Sequence, residues 1–263
     1  MGLYNTIIYE KANAVAKIVF NRPSVLNALN NVMFTEIGDA LQDAEEDAEI
    51  RVVLITGNGK AFCAGADLKF SREALKSVPD QEAFFRLGNE MVIKRIRNLS
   101  KPVIAAVNGY AFGGGFEIML ACDLVIATED AIMGDQHINV GLVGAGGSYL
   151  HLPAVVGLRR AKEIVLLGNR LTGLEAQRIG LVNMAVPSEK LEETANAIAQ
   201  ELAEKSPVAL SISKKLLNQM AYPDFDARLE LNVLSAIQNN TTEDYKEAIE
   251  AFNEKRKPIF KGR

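Results

Sequence analysis

Two short stretches rich in glycine and alanine hold the residues whose types and spacing are suited to chemistry. Residues 61–68 read Ala-Phe-Cys-Ala-Gly-Ala-Asp-Leu, and residues 108–117 read Asn-Gly-Tyr-Ala-Phe-Gly-Gly-Gly-Phe-Glu. Each follows an apolar run typical of a β-strand, so each can present a backbone N–H at a strand end. Two N–H groups directed at one point form an oxyanion hole, which stabilises negative charge on a carbonyl oxygen. The sequence therefore predicts a site that polarises a carbonyl group.

Small side chains in both stretches would let a ligand lie directly against the backbone. Ala64, Gly65 and Ala66 carry little or no side chain, and glycine also adopts dihedral angles that are closed to other residues. In the second stretch, glycines 113–115 lead into the apolar run 116–122, which predicts a helix. Unpaired N–H groups and the dipole at a helix N-terminus favour a nearby anion. A glycine N–H at this point is therefore suited to bind an oxyanion.

Glu117 is the leading candidate for acid–base chemistry. A glutamate in the first turn of a helix is common and gains only about 0.3–1 kcal/mol from the helix dipole when it is exposed. The neighbours of Glu117 are apolar, however, and a carboxylate is costly to bury without a partner. A carboxylate held near water can instead serve as a general base. We therefore predict a catalytic role for Glu117.

The elements that must position these residues follow from the periodicity of the chain. From residue 4 to about 190, strands predicted at 14–20, 52–56, 103–107 and 124–127 alternate with helices that include 32–46 and 81–99. From residue 188 onward, helical spacing extends over 189–205, 207–221, 224–239 and 242–255. The pattern predicts an α/β core over residues 1–190 and a helical C-terminal region over residues 191–263.

Composition limits the classes of function. The chain has 263 residues, of which 48% are hydrophobic and 24% charged, and its net charge of −4 argues against broad nucleic-acid binding. No run approaches the roughly 18 apolar residues of a membrane span, and the first residues lack the pattern of a secretory signal. A cytoplasmic protein with no membrane partner is expected. Cys63 and Cys122 lack CxxC spacing, so neither a disulfide framework nor a metal site is expected.

Several ordered motifs make the sequence similar to the enoyl-CoA hydratase/isomerase (crotonase) superfamily. Besides the two stretches above, they lie at residues 21–29, 101–108, 180–183 and 254–258, so the resemblance runs nearly end to end. The resemblance implies that an acyl-CoA thioester binds in an extended cleft and that its carbonyl oxygen accepts from the N–H groups of Ala66 and Gly114. It also implies an enolate intermediate and no cofactor beyond the coenzyme A of the substrate.

The resemblance further implies a fold, an assembly and a set of binding positions. The fold would be a crotonase-like spiral of ββα units, followed by helices that mediate trimer contacts, with a trimer or a dimer of trimers as the assembly. A C-terminal lysine, Lys255 in this chain, would help bind the CoA phosphates of its own or a neighbouring subunit, although a solvated basic tail remains an alternative reading. The other positions associated with substrate or CoA are Leu26, Ala64, Gly65, Asp67, Leu68 and Gly113.

The second catalytic position departs from the hydratase pattern. His137 stands where hydratases of the family carry a second glutamate, which protonates Cα while the residue at the Glu117 position activates water for attack at Cβ. A histidine with an ordinary pKa near 6.5 can supply that proton. His137 can equally bond to the backbone or to Asp135 and only shape the pocket. Asp135 is the alternative second acid, and in an extended segment it would share a face with His137 and reach the cleft.

Other polar residues are expected to be structural. His151 is expected to pack in a helix below the site, and Asp123 to satisfy local backbone groups. Ser148 lacks the sequence context of a serine nucleophile.

The leading hypothesis is an acyl-CoA hydratase that adds water reversibly to a 2,3-unsaturated thioester. A double-bond isomerase and a CoA-thioester hydrolase are the enzymatic alternatives, and a non-catalytic acyl-CoA-binding protein is the alternative from another class. Retention of Glu117 favours hydration, because the resemblance associates isomerases with a single glutamate mainly at the position of His137. Residues 69–85 are expected to line or cover the acyl end, but they do not specify the acyl group.

Overall fold

The computed structural model describes residues 4–262, in which strands and helices alternate before the chain ends in helices alone. The strands are β1 Ile7–Ala12, β2 Val15–Phe20, β3 Val52–Gly57, β4 Ala61–Cys63, β5 Val103–Val107, β6 Tyr110–Phe112, β7 Leu124–Thr128, β8 Ile132–Gly134, β9 Leu171–Thr172 and β10 Met184–Val186. The α-helices are α1 Asn31–Glu46, α2 Leu68–Ala74, α3 Val78–Gly88, α4 Lys94–Asn98, α5 Gly114–Ala121, α6 Ser148–Val156, α7 Leu158–Leu167, α8 Gly173–Arg178, α9 Leu191–Ala203, α10 Pro207–Ala221, α11 Phe225–Asn240 and α12 Glu243–Glu254.

Two sheets organise the strands. One has the order β1-β2-β3-β5-β7-β10 and is parallel except for β1, which runs antiparallel to β2. The other has the order β4-β6-β8-β9, with β9 antiparallel to β8. The pairs β3 and β4, β5 and β6, and β7 and β8 each give one strand to each sheet, and a helical segment follows each pair. This is the predicted spiral of ββα units.

Helices cover both faces of the larger sheet, and β3 shows the consequence. Val53 and Ile55 belong to the main core together with apolar residues of α1, whereas Val52 and Leu54 belong to a second core with Ala195 of α9. Alternate residues of a strand point to opposite faces. A parallel strand covered on both faces therefore reads as a continuous apolar run, as Val103–Val107 also does.

The C-terminal helices complete the core as well as extend beyond it. The last strand ends at Val186, and only helical segments follow in the described residues. Helix α9 packs on the larger sheet, α11 contacts α3, and α12 contacts the segment Ile138–Val140. The predicted boundary between residues 190 and 191 stays a prediction. Helix α9, which follows this point, shares a hydrophobic core with the larger sheet.

The long helices and strands follow the sequence pattern closely, but one predicted helix is interrupted. The expected helix over residues 81–99 is divided into α3, a π-helical segment Asn89–Ile93 and α4. A single-turn π-helical segment widens the helix locally and is frequent at functional sites. The strands β4, β6 and β8 have only three residues each, which is too short for alternation to identify them.

Candidate active site

The first glycine-rich turn leaves one backbone N–H unpaired. It connects β4 to α2, and Gly65 within it has φ +94°. Leu29 N donates to Gly65 O at 2.8 Å, and Asp67 N donates to Leu29 O at 2.8 Å. These two bonds flank Ala66, whose own N–H donates to no other residue within 4–262. The neighbouring segment around Leu29 therefore fixes the turn without using the Ala66 N–H.

The second turn packs against the first, and this contact requires glycine. Gly113 has φ +50°, and α5 begins at the next residue. A Cβ added to Gly65 would lie 2.9 Å from Phe112 O and 3.2 Å from Gly114 N, and one added to Gly115 would lie 2.2 Å from Cys63 O. Side chains at these points would therefore separate the two turns.

Ala66 and Gly114 meet at one cavity, as the predicted oxyanion hole requires. The Gly114 N–H, at the first residue of α5, also donates to no protein acceptor in the described part of the chain. Both residues line a cavity of about 120 Å³ that also contacts α2, α3, α11 and α12. The apolar part of its wall comprises Leu29, Phe34, Leu68, Leu75, Phe84, Phe85, Val92, Ile93, Ile118, Leu142, Val143 and Ile249. Two free donors thus border a largely apolar cavity.

Glu117 is buried against the same cavity. The carboxylate is on the first turn of α5, and its Oε1 accepts from Gly146 N at 2.8 Å and from Ser148 N at 3.4 Å. A Cβ on Gly146 would lie 2.5 Å from Oε2, so the glycine lets the loop close over the carboxylate. Burial raises the pKa of Glu117, and the positive charge of His137 opposes this effect. Glu117 is a carboxylate whose affinity for a proton exceeds that of an exposed glutamate.

His137 also lines the cavity, and a hydrogen bond with Asp135 orients its ring. Asp135 Oδ1 lies 2.9 Å from His137 Nδ1 and accepts from His137 N at 3.2 Å. Burial by itself would lower the pKa of His137, but the charge and hydrogen bond of Asp135, with a smaller effect of Glu117, raise it to about 9. Burial would raise the pKa of Asp135, but His137 holds it below its usual value. The pair is therefore an imidazolium bound to a carboxylate at neutral pH.

The expectation that both Asp135 and His137 would reach the cleft is wrong for Asp135. Its side chain is completely buried and does not line the cavity. Strand β8 ends at Gly134, and His137 has helical dihedral angles at the start of a short 3-10 turn. The alternation of an extended segment is lost there, so Asp135 contacts the imidazole instead of sharing its exposure to the cavity.

Gly144 shows that the two acid–base groups converge. A Cβ added to this residue would lie 2.9 Å from Glu117 Oε1 and 3.0 Å from both Cε1 and Nδ1 of His137. The Glu117 carboxylate and the His137 imidazolium are therefore both close to Gly144, and both line the cavity that Ala66 and Gly114 also line. This arrangement can hold a carbonyl oxygen and exchange protons on the adjacent carbons.

The remaining predicted positions differ in whether they line the cavity. Leu68 lines the cavity, whereas Lys255, at the end of α12, does not. Asp67 caps α2 by accepting from Phe70 N at 3.1 Å, and it pairs with Arg22 at 2.8 Å. Leu26 has φ +54° and accepts from Ala64 N at 3.0 Å. Through these contacts, Asp67, Leu26 and Ala64 support the conformation of the first turn.

Sequence reasoning missed the residues that hold the acid–base groups. The loop 144–147 carries Gly144 and Gly146, and its repeated glycines were the available signal. Asn89, in the π-helical segment, donates from Nδ2 to Ala145 O at 2.9 Å and so holds this loop. Asn89 lies inside a predicted helix and gives no signal of its own. Tyr245 and Ile249 of α12 line the cavity and were likewise not identified.

The residues expected to be structural have structural contacts. Asp123 accepts from Val103 N at 2.7 Å and also pairs with Lys214 at 2.7 Å, a bond that sequence did not predict. His151 packs on Tyr222 and Phe225, away from the cavity. Among residues 4–262, no group of three or more His, Cys, Asp or Glu side chains is arranged to hold a metal ion. In the same residues, no helix combines the length and apolar character needed to cross a membrane.

A ββα spiral with two turns in contact beside a buried glutamate and a histidine is the arrangement expected of the crotonase family, and known proteins agree. A family model described as enoyl-CoA hydratase/isomerase matches residues 10–263. A short-chain-enoyl-CoA hydratase of Clostridium acetobutylicum is 39% identical over 254 residues, 96% of each chain. Crotonyl-CoA hydratase of Syntrophomonas wolfei is 36% identical over 258 residues, 98% of each chain. The chain belongs to the enoyl-CoA hydratase/isomerase family.

Solved structures agree as well. The structure of an enoyl-CoA hydratase/isomerase from Pseudoalteromonas atlantica matches with a TM-score of 0.88 at 30% identity, over 98% of this chain and 100% of that one. The predicted family, fold class and class of enzyme are thereby confirmed. The roles of individual residues stay predictions.

Proposed function

We propose that this enzyme adds water reversibly to a 2,3-unsaturated acyl-CoA thioester, with Glu117 and His137 as the acid–base pair. The supporting observation is that Glu117 and His137 line one cavity with Ala66 and Gly114, whose N–H groups donate to no other residue within 4–262. The names of the hydratase relatives support the same reaction. No cofactor other than the coenzyme A of the substrate takes part in this proposal.

The oxyanion hole activates the substrate for the first step. The N–H groups of Ala66 and Gly114 donate to the thioester oxygen and stabilise its negative charge, which makes Cβ electrophilic. Glu117 removes a proton from water as the water oxygen bonds to Cβ, and the electrons of the double bond move into the enolate. The charge that develops is on the oxygen held by the two donors.

His137 completes the addition. Its imidazolium transfers a proton to Cα, the enolate collapses to the saturated thioester, and His137 becomes neutral. The proton taken by Glu117 then passes to His137, which restores the starting state without another reactant. Asp135 favours the charged imidazole that this step requires. The pair thus takes the place of two carboxylates.

The first experiment follows 2,3-unsaturated acyl-CoA esters in H₂¹⁸O by mass spectrometry. Hydration gives an intact CoA ester that has gained one labelled water, whereas isomerisation leaves the mass unchanged and hydrolysis releases free CoA. We expect labelled ester, and a loss of about 10²–10⁴-fold in kcat for Glu117→Gln because the general base is removed. Glu163→Gln, on the exposed surface of α7, is the matched control. Full activity of Glu117→Gln would refute the mechanism.

The assembly and the binding of CoA are further parts of the proposal. Helix α10 has no buried residue, and its exposed apolar residues, Val208, Ile212, Leu216, Leu217 and Met220, support contacts between subunits in a trimer or a dimer of trimers. Lys255 lies at the exposed end of α12, where it is available to the CoA phosphates of its own or another subunit. Light scattering tests the assembly, and cell fractionation tests the proposed cytoplasmic location.

A further inference from the structure

The far part of the cavity has polar residues that the hydration mechanism does not use. Gln81 of α3, Asn240 of α11 and Tyr245 of α12 all line it, at the place where these three helices meet. Of the positions that the family resemblance associates with substrate or CoA, Leu68 lines the cavity, whereas Leu26, Ala64 and Lys255 do not. In the proposed function this cavity accommodates the acyl group, and the three polar residues would contact the acyl chain beyond the reacting carbons.

Hydrogen bonds fix the orientation of the two amides. Asn240 Nδ2 donates to Gln81 Oε1 at 2.8 Å, and Gln81 Nε2 donates to Leu75 O at 3.3 Å. Asn240 is largely buried, and its Oδ1 accepts no hydrogen bond from a residue in the described part of the chain. A ligand that covers this oxygen displaces water from it, so a ligand group that donates to the oxygen gains affinity over one that cannot.

Tyr245 adds a donor to this wall. Its backbone N–H donates to Thr242 Oγ1, but its hydroxyl bonds to no residue among 4–262, and burial raises its pKa. The wall thus holds an acceptor, Asn240 Oδ1, and a group that both donates and accepts, the phenol of Tyr245. An alcohol is the simplest group that satisfies both at once.

Charge excludes another class of acyl group. No lysine or arginine is among the residues that line the cavity, and its only carboxylate is Glu117. The cation that lines the cavity is His137, which is bonded to Asp135, so a terminal carboxylate beside Gln81, Asn240 and Tyr245 would have no lysine or arginine to pair with, which is unfavourable. The cavity, about 120 Å³, is comparable with the roughly 150 Å³ of an engineered cavity that binds benzene, a six-carbon ligand.

We propose that Gln81, Asn240 and Tyr245 form a specificity site for short acyl groups that carry an uncharged hydroxyl near their far end. This inference rests on the proposed function and deepens it by naming the substrate class. The hydroxyl donates to Asn240 Oδ1 and accepts from the Tyr245 phenol, while the apolar wall contacts the methylene groups. An alkyl end leaves both polar groups unpaired, and a carboxylate end brings an unpaired charge.

The test compares three six-carbon substrates that differ only at the last carbon: 2-hexenoyl-CoA, 6-hydroxy-2-hexenoyl-CoA and 2,3-dehydroadipyl-CoA. We expect kcat/KM to be about tenfold higher for the hydroxyl compound than for the alkyl compound, and lowest for the dicarboxylate, at least tenfold below the alkyl compound. The inference would be overturned if kcat/KM for the alkyl compound, or for the dicarboxylate, equalled or exceeded that for the hydroxyl compound.

Variants locate the preference in the three residues. Tyr245→Phe and Asn240→Leu should each reduce the ratio of hydroxyl to alkyl kcat/KM about tenfold. Tyr9→Phe, which removes a phenol from β1 outside the cavity, should leave the ratio unchanged. A ratio that persists in both cavity variants would place the preference elsewhere. Crotonyl-CoA separates the two proposals: if it is not hydrated, the proposed function fails, and if it is hydrated but the ratio is absent, only the specificity site fails.

Discussion

The chain has two histidines, and their surroundings shift their pKa values in opposite directions. His137 contacts a carboxylate and faces the cavity, so its pKa rises to about 9. His151 is buried against Tyr222 and Phe225, with the guanidinium of Arg97 nearby, and burial followed by the charge of Arg97 lowers its pKa to about 4. His151 is buried and the His137 side chain is only 15% exposed, so burial alone does not decide their protonation. A neighbouring carboxylate makes one of them an acid and its absence leaves the other neutral.

The two histidines therefore make opposite contributions to the pH dependence of stability. The folded-state pKa of His137 is raised, so its contribution is fully present below the ordinary pKa near 6.5 and is lost as pH rises towards 9. The folded-state pKa of His151 is lowered, so its contribution is present above 6.5 and is lost as pH falls towards 4. At neutral pH, therefore, only His137 carries a positive charge.

The largest expected effect comes from exchanging each histidine for the same residue. His137→Gln should lower kcat for hydration about 10²–10⁴-fold, because glutamine cannot donate a proton to the enolate. His151→Gln is the matched control and should leave kcat within twofold of wild type. Steady-state kinetics below the unfolding temperature of each variant decides the comparison. Comparable losses in both variants would show that His137 only shapes the pocket.

Asp135→Asn should have the next largest effect, and pH reveals its cause. The rate of the wild type should fall as pH rises through about 9, because His137 must be protonated. Removal of the carboxylate should move this alkaline limb about 1–3 pH units lower, with a loss of roughly 10–100-fold in kcat at neutral pH. A pH–rate profile measured with crotonyl-CoA tests this shift. An unmoved alkaline limb would assign the loss to packing.

Asn89→Leu should have a smaller effect, because Asn89 acts on Glu117 through the loop 144–147. The variant leaves the buried Ala145 carbonyl without its donor, at a cost of about 1–3 kcal/mol in the free energy of unfolding. We expect kcat to fall about 3–10-fold with KM little changed. Asn218→Leu is the control, because it removes a hydrogen bond from a side-chain amide to Arg97 O outside the cavity. Equal kinetics in both variants would exclude a positioning role.

The smallest effect on turnover, and the sharpest on stability, is expected for His151→Gln. Glutamine does not titrate, so the variant should lack the part of acid destabilisation that His151 causes. Between pH 7 and pH 4.5 the wild type should lose about 2–3 kcal/mol more than the variant. Urea unfolding at both pH values measures the difference. Parallel losses would mean that His151 titrates normally in the folded protein.

Much of the fold was predictable because its signals are local. The helix α10 coincides with the predicted segment Pro207–Ala221, and Val103–Val107 coincides with a predicted strand, since length and apolar periodicity mark both. The interruption of the helix at Asn89–Ile93 was not predictable, because no residue type there is specific to a π-helical segment. The strand β8 was too short to show a period.

Sequence by itself determined the parts of the site that depend on backbone and local chain direction. The glycines and alanines of the two turns, and the position of Glu117 one turn into α5, follow from residues that are adjacent in the chain. Sequence left open whether His137 bonds to the backbone or to Asp135, two residues away, and the structure shows the bond to Asp135. Tertiary structure alone placed the loop 144–147 over Glu117 and brought α11 and α12 to the cavity. A pKa also depends on the burial of the group, and that burial comes from segments distant in the chain.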